Sequence, residues 1–149
     1  MSRKLITTGS SFERDAAYSR AVIEGRWVFV SGTTGFDYTT MTISEDVVAQ
    51  ADQCFRNIQR ALADAKCRLS DVVRVKYILP DRTDFQRILP VLQRYLGDIR
   101  PAATMIEAGL LDPRMKIPEL FPVAGKDFAQ LRSLKTQQYL IELPRQVVE

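Results

Sequence analysis

The chain has 149 residues, 46% of them hydrophobic and 26% charged, a balance that suits one folded domain and excludes a disordered chain. It contains no histidine and only two cysteines. That removes Ser-His-Asp and Cys-His catalysis, His-ligated zinc or haem, and any four-thiolate metal site within one chain. Net charge is +3, with basic residues set singly among acidic ones, so no clustered footprint for nucleic acid is present.

In chain order, residues 20–24 and 26–31 are short β-prone runs split by Glu24-Gly25, which reads as a tight hairpin. Gly32 to Thr40 is rich in turn formers and is the candidate functional loop of the first half. Ser44 is a suitable N-cap, with Glu45 and Asp46 in the first turn. Val47, Ala51, Cys54, Phe55, Ile58, Ala61, Leu62 and Ala65 then recur at three- and four-residue spacing, which predicts an amphipathic helix over 45–66. Cys54 falls on its apolar face, the usual setting of an inert thiol.

Val72 to Leu79 predicts a strand with Val73, Val75, Tyr77 and Leu79 on one side. Asp84 can cap a second helix that Gly97 stops, and Pro90 inside it predicts a kink or a late start. Ala103 to Ala108 is extended, and Leu110 to Arg114 is a turn. Met115 to Val123 predicts the returning strand, but Pro118 and Pro122 require it to be an edge or locally broken. Beyond Gly125, Phe128, Leu131 and Leu134 are spaced as a short helix, and Tyr139 to Leu143 reads as a strand closed by Pro144. The order β-β-α-β-α-β-β plus a tail predicts an α+β fold with a mixed β-sheet and two helices on one face.

The N-terminus turns polar within a few residues, and no apolar run approaches the roughly 20 residues of a bilayer span. A cytoplasmic compartment is the expectation, with no metal, no cofactor and no membrane or nucleic-acid partner.

Several motifs, taken together and in order, carry a family resemblance. They are Tyr18-Ser19-Arg20-Ala21-Val22, Val28-Phe29-Val30-Ser31-Gly32, Cys54-Phe55-Arg56-Asn57-Ile58 and Leu69-Ser70-Asp71-Val72-Val73. Tyr95-Leu96-Gly97 and Arg100-Pro101-Ala102-Ala103-Thr104 follow. From about Ser11 to Lys116 the chain resembles the RidA/YjgF family of reactive intermediate deaminases. The resemblance implies a chorismate-mutase-like fold, a homotrimer with a barrel core, and small-molecule clefts at subunit interfaces. It divides the chain into a RidA-like domain, residues 1–125, and a C-terminal extension, residues 126–149. A second cover also suits a sheet with apolar residues on both faces, such as Phe29, Val30, Ile78 and Leu79.

Family members that hydrolyse imines of amino acids clamp the substrate carboxylate with an arginine, and this chain has Ala103 at that position. Leu89 replaces the family's asparagine, and an ungapped match puts Phe121 where the water-orienting glutamate belongs, leaving Glu119 as the nearby carboxylate. The resemblance assigns catalytic roles to Tyr18 and Glu119, and ligand contacts to Tyr18, Ser31, Gly32, Thr33, Ala103, Thr104 and Glu107. Bland readings stand beside these: Tyr18 as a core tyrosine, Gly32 as a turn, Thr104 as a strand residue, and Glu107 at the surface. Arg14, Arg20 and Arg114 are candidates to replace the missing guanidinium from a neighbouring chain, each against the reading of a solvated arginine. Two functions follow: hydrolysis of imines, enamines or related C–N compounds without the usual arginine, or a non-catalytic trimer that binds a metabolite or partner.

Overall fold

A computed structural model describes residues 3–117, 119–120 and 122–125. The expected tail helix near Phe128, the strand at Tyr139 and the whole extension 126–149 lie outside the described residues. In chain order the elements are β1 (Lys4–Ile6), α1 (Ser11–Asp15), β2 (Ala21–Glu24), β3 (Trp27–Val30), β4 (Phe36–Asp37) and β5 (Thr42–Ile43). Then come α2 (Val47–Asp64), β6 (Val72–Leu79), α3 (Phe85–Leu96), β7 (Ala102–Glu107), β8 (Glu119–Leu120) and β9 (Val123–Gly125). The elements β1 and α1 and the small β4–β5 hairpin add to those predicted; each is too short to give a periodic signal.

Among the described residues the strands form a seven-stranded mixed sheet in the order β1-β2-β3-β9-β6-β7, with β8 also paired to β6. All described pairings in it are antiparallel except β6 with β7, which α3 joins as a crossover. Gly25 opens the β2–β3 turn at φ +57°, a conformation that glycine adopts without strain. Both long helices pack on one face of the sheet. Their buried side chains, among them Phe55, Ile58, Leu62, Ile88 and Val91, join Val28, Val75, Tyr77 and Leu79 in one core.

Helix α2 starts two residues later than predicted. Its N-cap is Asp46, whose carboxylate accepts the Ala49 N–H at 3.0 Å, while the Ser44 hydroxyl accepts from Asp46 N. Both residues suit an N-cap, and the extended backbone of Asp46 (φ −84°, ψ 124°) decides between them. Asp46→Ala is expected to lower stability by about 1 kcal/mol. Urea unfolding with an unchanged m-value reads this directly; an unshifted midpoint counts against the cap. Helix α3 begins at Phe85, ahead of Pro90, so the late start does not occur, and Pro90 cannot donate to the Gln86 carbonyl.

Two differences in the sheet come from local irregularity. Val72 pairs with Ala124 but Arg74 with Val123, so Val73 is an extra residue in a bulge. The bulge shifts the side-chain phase: Val72 turns into the core, while Val73, predicted to share a side with Val75, Tyr77 and Leu79, is 48% exposed. The prolines break the predicted returning strand into two pieces. The piece β8 pairs with the end of β6 (Ile78 opposite Glu119), and β9 pairs with its start. Since β9 also pairs with β3, the segment is broken and central, not an edge. Pro122 contributes its carbonyl, which accepts the Val30 N–H at 3.0 Å.

The face of the sheet away from the helices is apolar along one row. Leu5 is paired with Val22, Val22 with Phe29, and Phe29 with Val123. Leu5 and Phe29 are 54% and 47% exposed.

Candidate functional site

The loop before α1 and the turn after it gather the polar residues around Tyr18. Ser10 caps α1 by accepting the Glu13 N–H at 3.3 Å. Ala17 ends the turn at φ +54°, unusual for a residue with a Cβ, and Tyr18 N donates to the Glu13 carbonyl at 3.0 Å. The chain thus doubles back, and Tyr18 and Arg20 project from one extended segment next to Glu13.

Arg20 is 1% exposed and Glu13 4%. The Arg20 Nε donates to Glu13 Oε1 at 3.2 Å, Nη1 to the Gly32 carbonyl at 3.1 Å, and Nη2 to the Tyr18 hydroxyl at 3.1 Å. Its guanidinium carbon lies 4.7 Å from the Tyr38 ring centre and 5.5 Å from that of Tyr18. Glu13 also accepts from the Thr7 hydroxyl, the Thr8 hydroxyl and Thr8 N, at 2.5, 2.6 and 2.9 Å. Burial works to raise the Glu13 carboxyl, but these bonds and Arg20 hold it below the ordinary carboxylate value. Burial pushes the Tyr18 phenol above its usual value, against the pull of Arg20. Arg20 is therefore not the solvated arginine that base expectation favours. A buried guanidinium needs a carboxylate, and Glu13 provides it.

The sequence-assigned residues fall into two groups. Tyr18, Ser31 and Gly32 lie together: Ser31 Oγ donates to the Ser19 carbonyl at 2.6 Å, and Gly32 is held by Arg20. Thr33, next in the chain, is fully buried, and its hydroxyl donates to the Ser31 carbonyl at 2.9 Å. The second group lies on β7. Ala103 is exposed, in register with Val75. Thr104 Oγ1 accepts from Arg74 Nη2 at 3.1 Å. Glu107 is exposed, and its carboxylate accepts the Arg82 N–H at 3.2 Å. Glu119 lies opposite Ile78 on β8. Strands β9 and β6 intervene between β3 and β7, so one protomer does not bring the two groups into contact.

Buried Gln50 fixes the approach to β8: its Nε2 donates to the Arg114 carbonyl at 2.8 Å, and its Oε1 accepts from Lys116 N at 2.8 Å. Of the other arginines named from the sequence, Arg14 pairs with Asp15 at the surface. Arg114 binds Asp112 at 2.7 Å, and its hydrogen bonds hold that carboxyl down to about 2. Sequence reasoning missed Glu13, Thr7, Thr8 and Tyr38. The available signal was the two-residue spacing of Tyr18 and Arg20, which puts both on one side of an extended segment.

Comparison with known proteins gives a consistent picture. Residues 8–119 match the family model described as Endoribonuclease L-PSP. A RutC family protein of Pyrococcus abyssi is 30% identical over 128 residues, covering 85% of this chain and 100% of that protein. The 2-iminobutanoate/2-iminopropanoate deaminase of Rattus norvegicus is 28% identical over 116 residues, 77% of this chain and 85% of the relative. The crystal structure of a YjgF family member from Mycobacterium tuberculosis superposes with a TM-score of 0.75 at 34% identity, covering 83% of this chain and 99% of that one.

Proposed function

The chain belongs to the RidA/YjgF family, the family of the Endoribonuclease L-PSP model, and on that footing we propose that it is a cytoplasmic homotrimer hydrolysing imines that lack an α-carboxylate. The observation that carries this reading is Ala103. It is exposed on β7, a strand without a basic residue, at the position that the family resemblance assigns to the carboxylate clamp. A methyl group offers neither charge nor donor, and a charge-assisted contact is worth about 1.5–3 kcal/mol. The separation of the Tyr18 group from the β7 group supports a cleft closed by a second copy of the chain, built from Tyr18, Ser31 and Gly32 on one side, with Thr33 buried behind them, and Ala103, Thr104 and Glu107 on the other.

The reaction converts an imine and water to the corresponding aldehyde or ketone and ammonia. Water oxygen adds to the imine carbon as nitrogen takes up a proton. The hydroxyl proton of the tetrahedral adduct then passes to the nitrogen, the C–N bond breaks as the C=O bond forms, and ammonia leaves. Glu119 is the carboxylate assigned to receive the proton of the attacking water, and the Tyr18 hydroxyl donates a hydrogen bond to the substrate. No step needs a metal or a cofactor.

The test compares two imines made in situ: one from a simple amine with an amine oxidase, the other from alanine with an amino-acid oxidase. Ammonia release above the protein-free rate is expected for the first, with the second much slower. Protein-free rates for both, with the trimer intact, leave a binding protein as the reading. Faster loss of the imino acid overturns the substrate assignment.

A further inference from the structure

Arg20 occupies the Tyr18 hydroxyl oxygen as a donor, so the phenol's own proton must point away from the guanidinium. No acceptor for that proton exists among the described residues. Glu13 fixes Arg20 from the far side, and the Thr7 and Thr8 hydroxyls in turn fix Glu13. Tyr38 covers the guanidinium, leaving it little freedom to reorient. The same guanidinium holds the Gly32 carbonyl, so one buried cation sets the position of two groups assigned to the ligand side.

We infer that Glu13 and Arg20 form a positioning pair that aims the Tyr18 hydroxyl proton at the substrate nitrogen. Neither residue touches substrate; both act through Tyr18. The inference rests on the reading of Tyr18 as a ligand-site residue and deepens it. A structural ion pair needs only the Glu13–Arg20 contact. It does not need three of the guanidinium's donors spent on three different residues, one of them a hydroxyl with its proton left over.

The test uses Glu13→Gln, Arg20→Gln, the neutral double variant Glu13→Gln/Arg20→Gln, and each of these combined with Tyr18→Phe. On the neutral imine, Glu13→Gln and Arg20→Gln are expected to lower kcat about ten- to a hundredfold with little change in KM, as misaimed groups do. In the Tyr18→Phe background they should add nothing further. Equal losses in both backgrounds overturn the inference, because the pair then acts other than through Tyr18.

A second readout needs no activity. The charged and titratable groups facing the Tyr18 phenol are Arg20, Tyr38 and Glu13. Ultraviolet titration, with Tyr18→Phe and Tyr38→Phe to assign the signal, is expected to show Tyr18 ionising at lower pH in Glu13→Gln. In Arg20→Gln it should ionise at higher pH, because Arg20 favours the phenolate and Glu13 opposes it. Shifts of the same sign in both variants mark simple loosening and overturn the inference. The double variant, with no buried charge left alone, keeps this arm usable if either single variant unfolds. Should the protein hydrolyse no imine, the proposed activity fails while the titration still decides the positioning.

Discussion

Ala103→Arg is expected to raise kcat/KM for an alanine-derived imine by about tenfold to a hundredfold. A bidentate guanidinium–carboxylate contact is worth about 1.5–3 kcal/mol, and each 1.4 kcal/mol is a factor of about ten. The strand can accept the longer side chain, because Ala103 is exposed and β7 is the last strand of the sheet among the described residues. An exposed substitution of this kind changes folding stability by about 0.5 kcal/mol or less. The gain should be confined to substrates with the carboxylate. The neutral imine should gain nothing and serves as the internal control. Ala103→Lys separates charge from geometry: a single ammonium cannot form the forked contact, so its gain should fall well short of arginine's. If Ala103→Arg leaves imino-acid hydrolysis unchanged in an intact trimer, Ala103 is not at the clamp position.

Where the chain keeps a regular period, its residues were legible. Val47 to Ala65 announced α2 to within a few residues at each end, and the family motifs announced the topology that the solved relatives share. Sequence failed where a single irregularity resets the period. One extra residue at Val73 turns it outward and Val72 inward, and no pattern of apolar residues reveals a bulge that depends on its partner strand. The prolines at 118 and 122 announced a break but not its place, because β9 is inserted between β3 and β6 by pairings distant in sequence. The polar network around Arg20 shows the same limit. Glu13 lies on α1 and Arg20, seven residues on, just ahead of β2, and the left-handed turn at Ala17 brings them together. A residue that is solvated by base expectation becomes buried once a carboxylate is folded against it.

Phe29→Glu is expected to convert the proposed trimer into folded single chains. Phe29 stands in the row that runs from Leu5 through Val22 to Val123, on the sheet face that carries no helix among the described residues. In the protomer its ring is 47% exposed, so a carboxylate there meets water and the fold should keep its circular dichroism and melting behaviour. In the proposed trimer the row faces the other copies, and symmetry places three carboxylates in one apolar core at once. Each buried, unpartnered charge costs several kcal/mol, enough in threefold to undo association. Sedimentation equilibrium should report a three-chain mass for the native protein and a one-chain mass for the variant. Imine hydrolysis should vanish with the trimer, because in the proposed cleft the Tyr18 and β7 groups meet only across a boundary between copies. Phe29→Ala, which removes apolar area without adding charge, should weaken association in a concentration-dependent way and recover activity at high protein concentration. A native protein that sediments as one chain would defeat both the cleft and the function assigned to it, whatever the activity of the variant.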